Sequence, residues 1–180
     1  MNRVMHTVEE VERLIRAGKP LMLAGDEALL ARLPEGPWIG GTIPYFIGEE
    51  GGVATRELIH VTPLPEDLLE TRIVVYDSAS ISSVYRDAPA GGFSAIIIPA
   101  TSKTHLEFAL RAPQYESFAH TPLIGWISGV HLTDLGKVAP KIFDGRTRRA
   151  LEDGAVVLHA RPPEGTFAEL GTVNIFTQGT

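Results

Sequence analysis

The sequence predicts an α/β domain: a mixed sheet containing βαβ units and flanked by helices, running into a β-rich, mixed α+β final third. Three observations predict it. Short apolar runs such as Leu21-Met22-Leu23 and Ile96-Ile97-Ile98 read as buried strands. Amphipathic, capped segments stand beside them, and the order strand, helix, strand occurs twice. A strand, a crossover helix and a second strand in one sheet imply parallel pairing with a right-handed connection.

The elements follow in chain order. Thr7-Val8-Glu9-Glu10 is a capping-box pattern that starts a helix, Val8, Val11, Leu14 and Ile15 share one face, and Gly18 and Pro20 close it. Pro20 to Ala24 is a buried strand, followed by a short helix capped by Asp26 that runs to Leu33 and ends at Pro34 and Gly36. Pro37 to Ile47 reads as a strand with Pro44 marking an edge or bend, Gly48 to Gly52 as a turn, and Val53 to Leu64 as the returning strand of a hairpin. Thr71 to Asp77 is a strand, Ser80 to Arg86 a helical stretch, and Ser94 to Ile98 a buried strand. Thr101-Ser102-Lys103-Thr104 caps the helix carrying Leu106, Phe108, Ala109 and Leu110, and Pro122 to Ile127 is a strand again. Lys141 to Asp144, Ala155 to His159 and Thr172 to Phe176 complete the β-rich tail.

The two strand, helix, strand units suggest an internal duplication of residues 20–47 and 94–132 within one domain spanning residues 1–180, each unit carrying Pro-x-Ile-Gly at its second strand. Ligands of open α/β sheets bind beyond the carboxyl ends of the strands. That rule selects Gly25 and Asp26 after the first strand, Gly40, Gly41 and Thr42 in the following turn, Thr101, Ser102 and Lys103 after the second buried strand, and Gly125, Trp126 and Ser128 after its partner. The alternative duties of these residues are tight packing for the glycines and helix capping for the hydroxyls.

Composition narrows the function classes. The 180 residues carry a formal charge of -6 and no cysteine, which leaves no disulfide framework and no thiolate chemistry and fits a reducing, cytoplasmic setting. No apolar run approaches the length of a membrane span, and the amino-terminal residues lead into an amphipathic helix instead of a signal peptide. Nucleic-acid binding needs a basic face, whereas Arg146, Arg148 and Arg149 sit among Asp144, Glu152 and Asp153 and read as a charged turn. The phosphate-loop, dinucleotide and nucleophile-elbow patterns are absent, the segment from Gly129 to Gly136-Lys137 having the wrong spacing for the first. The six histidines lack helical pairing, and His131 with Asp134 is the best metal-site fragment but lacks a third ligand. No catalytic set, metal site or cofactor is therefore expected.

Three further residue groups resemble a known family. Pro37-Trp38-Ile39-Gly40-Gly41-Thr42, Lys141-Ile142-Phe143-Asp144-Gly145 and Leu151-Glu152-Asp153-Gly154-Ala155-Val156-Val157-Leu158 are similar to motifs of the amino-terminal part of the FIST domain, a sensory module of signal transduction. The resemblance implies a small-molecule sensing role, with amino-acid-like ligands and no catalytic residues to carry over. A full member has a second module and often an output domain, neither of which follows here, so a stand-alone relative and a part of a longer protein both stay open. The leading expectation is a non-catalytic module that binds a small polar metabolite. The alternatives are an enzyme of unrecognised type, with a hydrolase-like site at Thr101 to His105, and a homo-oligomeric structural protein assembled through edge strands or a Trp38/Tyr45 hairpin.

Overall fold

The computed structural model describes residues 3–48, 51–118 and 120–171. The expected strand at Thr172 to Phe176 lies outside the described residues. In the first half the order is β1 (Met5–His6), α1 (Val8–Arg16), β2 (Leu21–Gly25), α2 (Glu27–Leu30), β3 (Trp38–Thr42), a hairpin of β4 (Tyr45–Gly48) and β5 (Gly51–Ala54), and β6 (Ile59–Pro63). The second half runs β7 (Glu70–Tyr76), β8 (Phe93–Pro99), α3 (Lys103–Arg111), β9 (Leu123–Ser128), a hairpin of β10 (Ile142–Asp144) and β11 (Arg149–Leu151), and β12 (Ala155–Arg161).

The mixed sheet is present twice. One sheet has the order β1-β6-β2-β3-β10-β11 and the other β7-β12-β8-β9. Four strands of each obey one rule: the second and third strands of each half run parallel, and the last strand inserts antiparallel between the first and second. The same strand plan thus spans residues 5–63 and 70–161. Each half also carries a hairpin between its third and last strands, and that of the second half adds to the first sheet, β10 pairing antiparallel with β3.

Alternation along the strands stacks four layers. Leu21, Leu23 and Trp38 point outward and pack with Val8, Val11 and Ile15 of α1 and Leu30 of α2. Ile96, Ile98 and Val157 point outward from the second sheet beneath Phe108 of α3, together with Tyr76, Ile81 and Tyr85. Ile39 and Ile142 of one sheet meet Ala95, Ile97, Val156 and Leu158 of the other in the central layer. α1 starts where the sequence places it, since Thr7 Oγ1 accepts from Glu10 N and Glu10 returns a carboxylate oxygen to Thr7 N at 2.8 Å.

Several expectations change, among them the helix expected to run from Asp26 to Leu33, which ends as α2 at Leu30. The strand from Pro37 to Ile47 breaks at Ile43-Pro44, because proline offers no ladder N–H and Ile43 N instead donates to Gly25 O. The strand from Val53 to Leu64 divides, β5 alone closing the hairpin and β6 joining the main sheet. The stretch from Ser80 to Arg86 yields a single 3-10 turn at Ile81–Ser83. Trp38 is not part of a hairpin surface: it is fully buried, with Nε1 donating to Pro34 O at 2.9 Å and its ring stacked on Phe143. The arginine cluster is the charged turn expected of it, with Arg146 forked onto Asp144 and Arg148 donating to Ala31 O. Among the described residues no helix is long and apolar enough to cross a membrane.

At Gly41 the two sheets are in close contact. A Cβ there would lie 2.7 Å from both Ile97 Cγ2 and Trp126 Cη2 and 3.1 Å from Ser128 Cβ. Gly41→Val should therefore destabilise the chain by about 1–3 kcal/mol through overpacking, read from the urea midpoint. Replacing the exposed Gly52, whose added Cβ meets nothing, should leave that midpoint in place.

Candidate functional site

The four parallel strands β2, β3, β8 and β9 deliver their carboxyl ends to one edge of the sandwich. Within each sheet the ends are tied by Ile43 N donating to Gly25 O and Ala100 N donating to Ser128 O, and between sheets Gly129 N donates to Thr42 O at 2.7 Å. Residues 129–140 then run across this edge and leave a hollow on either side.

The first hollow, at the end of β2 and β3, is lined by Gly25, Asp26, Thr42, Arg56, His131 and Asp134 among others, and encloses only about 50 Å3. That is room for one or two waters. Its charged groups are committed to one another and to the crossing segment. Arg56 pairs with Asp134 at 2.6 Å and holds that carboxyl below its ordinary pKa, chiefly by this hydrogen bond. His131 stacks on Tyr45, its Nδ1 contacts Thr133 Oγ1 at 2.8 Å, and Tyr45 Oη accepts from Leu132 N. Lys141 pairs with Glu27 at 2.6 Å, an interaction that raises the ammonium pKa. The metal-site fragment is thus absorbed into loop anchoring, and among the described residues no three ligating side chains gather.

The second hollow is an open groove of about 680 Å3 at the end of β8 and β9, lined by Ala100, Thr101 and Ser102 on one side and by Val130, Leu135, Lys137, Val138, Ala139, Pro140 and Glu152 on the other. Its volume is that of small-ligand sites. Thr101 sits at the strand-to-helix turn with φ +62, a left-handed backbone that is strained for a β-branched residue. Ser102 Oγ accepts from His105 N as the helix cap, His105 Nδ1 accepts from Thr101 N, and Thr101 Oγ1 donates to Ala100 O at 2.6 Å. The hydroxyl and imidazole groups that could imitate a nucleophile and base are therefore engaged in starting α3. Asp153 occupies the same helix start. Burial works against its charge, but the Thr104 amide and side chain, the Gly154 amide and the Ser102 side chain together hold its pKa down. An anion would meet that carboxylate at the helix end. The ionic groups that line the groove are Lys137, whose Nζ donates to Thr133 O at 3.0 Å, and Glu152, whose carboxylate lies 3.7 Å from Lys141 Nζ.

Of the residues selected from sequence, Gly25, Asp26 and Thr42 reach the first hollow and Thr101 and Ser102 the second. Lys103 is exposed and lines neither, and Ser128 is buried with its hydroxyl unpartnered. Gly40, Gly41, Gly125 and Trp126 do not form turns at the site. They lie inside β3 and β9. An added Cβ at Gly125 would strike the carbonyl of Ile96, one at Gly40 would press on Trp38 in the opposite outer layer, and Gly41 and Trp126 meet between the sheets. Close approach, not ligand contact, explains these glycines.

A second polar cluster escaped the sequence reading. His159 is 2% exposed, with Nδ1 2.7 Å from Ser94 Oγ and Nε2 2.8 Å from Tyr76 Oη, while Tyr76 donates to Asp87 at 3.1 Å. An ionised Asp87 can only accept, which directs every proton: Tyr76 to Asp87, His159 Nε2–H to Tyr76, and Ser94 to the bare Nδ1. The partners are up to 83 residues apart, so no local motif announces them.

Fold and site together define a repeated, four-layer α/β protein with a ligand-sized groove at the carboxyl ends of its parallel strands. The chain belongs to the family of unknown function DUF6976, whose model matches residues 6–180. No curated protein and no solved structure matches it.

The buried imidazole gives a pH prediction. Burial, helped by the Arg72 charge, lowers the His159 pKa to about 4 from an ordinary 6.5. Between those values the unfolded chain binds a proton that the native chain refuses, so the stability contributed by the neutral imidazole is present above pH 6.5 and is lost as pH falls toward 4. Urea midpoints should decline across that window, and the decline should flatten in His159→Gln.

Proposed function

We propose that the chain is a non-catalytic binding module for a small polar metabolite, of the sensory kind that its similarity to FIST domains suggests. One observation supports this reading above the others. Both parallel strand pairs end at the same edge, and beside the second pair that edge holds a groove of about 680 Å3. Its wall is apolar along Ala100, Val130, Leu135 and Val138, and its rim carries Lys137 and Glu152, charges of opposite sign. Such a surface suits a ligand with a short apolar body and both an ammonium and a carboxylate, as in an amino acid. The carboxylate would face Lys137, away from the helix start that Asp153 already occupies.

A thermal-shift panel of amino acids and small carboxylates tests this reading. A ligand present at a hundred times its Kd stabilises the native state by about 2.7 kcal/mol, which raises the melting temperature. Val138 is 45% exposed on the groove wall, so Val138→Trp should crowd the groove without disturbing the core and reduce the shift. Silence across the whole panel, or a shift that is unchanged in the crowded variant, would count against the proposal.

A further inference from the structure

The segment from 129 to 140 touches both hollows, and one residue closes its neck. Thr42 O accepts from Gly129 N at 2.7 Å where the segment leaves β9, and Thr42 N donates to Lys141 O at 2.9 Å where it returns to β10. Thr42 Oγ1 accepts from Lys141 N at 2.9 Å as well. A surface loop whose ends meet in this way is an Ω-loop, a class that frequently carries function.

Within the loop the contacts divide by side. Toward the first hollow, Tyr45 Oη accepts from Leu132 N at 3.1 Å, Tyr45 stacks on His131, and Arg56 pairs with the Asp134 carboxylate at 2.6 Å. Toward the groove, the Asp134 carbonyl accepts from Lys137 N at 3.0 Å and from Val138 N at 3.1 Å, closing a turn in which Gly136 takes φ +75. Asp134 therefore works in both directions. Its side chain is held by Arg56, and its main chain sets Lys137 and Val138, which line the groove. Leu135 and Val138 are 61% and 45% exposed, so burial does little to hold this wall and its position depends on the polar ties behind it.

We propose that Arg56 is a positioning residue for the groove, a role that rests on the groove being the binding site proposed above. Arg56 does not line the groove; it latches the loop through Asp134 and so fixes where Lys137 and Val138 stand. The pair is partly exposed, at 48% and 30% of its side chains. Such a tie shifts the population of an exposed loop without deciding the fold.

Amide hydrogen exchange of the ligand-free chain, resolved by residue in NMR spectra, tests the latch. In Arg56→Ala the amides of Lys137 and Val138 should exchange about two- to fivefold faster than in the parent, while those of β8 and β12 keep the parent rates. Arg56→Asp should speed the loop amides further. Combining Arg56→Asp with Asp134→Arg restores the pair with its charges exchanged and should bring the protection back. Unchanged loop amides in Arg56→Ala overturn the proposal, as does acceleration shared equally by β8 and β12, or failure of the exchanged pair to recover. The thermal-shift panel of amino acids and small carboxylates separates this role from the reading it rests on. A panel member that stabilises the parent should stabilise Arg56→Ala less, and an equal shift in both overturns the latch. A silent panel beside accelerated loop amides overturns only the metabolite reading and upholds the hold of Arg56 on the groove wall.

Discussion

Residue 41 has no side chain, and that absence lets β3 and β9 lie against each other across the central layer. With Ile97, Trp126 and Ser128 packed onto the Gly41 backbone, the ends of the two parallel pairs come within reach of one hydrogen bond, Gly129 N to Thr42 O. Everything at the candidate site follows from that approach. The segment from 129 to 140 can bridge the two sheets only because they meet there, and the groove exists because the bridge leaves the end of β8 uncovered. Two sheets held further apart would keep their helices and hydrophobic layers yet have no shared rim.

The repeated plan produces two strand ends of the same kind, but the inserts make them unequal. The hairpin of the first half supplies Tyr45, and the segment following it supplies Arg56; these grip His131, Leu132 and Asp134 and close the first hollow to the size of a water or two. The hairpin of the second half goes to the far side of β3, and among the described residues nothing comparable is laid over Thr101 and Ser102. The asymmetry of the two hollows thus originates in where each half sends its insert.

Much of this plan was legible along the chain. The capping box at Thr7 to Glu10, the caps at Asp26 and Ser102, and the parallel order of the two units are local signals written within a few residues. Of the residues selected at strand carboxyl ends, Gly25, Asp26, Thr42, Thr101 and Ser102 line hollows at that edge. The glycines at 40, 41 and 125 misled because a glycine required for backbone approach inside a sheet carries the same letter as one required for a turn. Division into two facing sheets was also hidden, since alternation shows which residues are buried and not which sheet covers them. Lys137, Glu152 and Val138 reach the groove from a segment with neither helical nor strand periodicity, and that left no pattern to read.

The two ends of the second sheet are finished in opposite ways. At the amino end of β8 every polar group of the buried set is satisfied in one direction, from Ser94 through His159 and Tyr76 to Asp87, and such a network favours a single arrangement. At the carboxyl end Thr101 holds a strained left-handed backbone, and the hydroxyl of Ser128 is buried without a hydrogen-bond partner among the described residues. Strain and unmet hydrogen bonding persist only where the surrounding fold enforces them, and they concentrate where a chain meets its ligand. A structure that secures one end of a sheet this thoroughly can tolerate such costs at the other, and it is the costly end that opens to solvent. The second sheet thus has a fully paired end at the histidine network and a strained one at the groove beside α3.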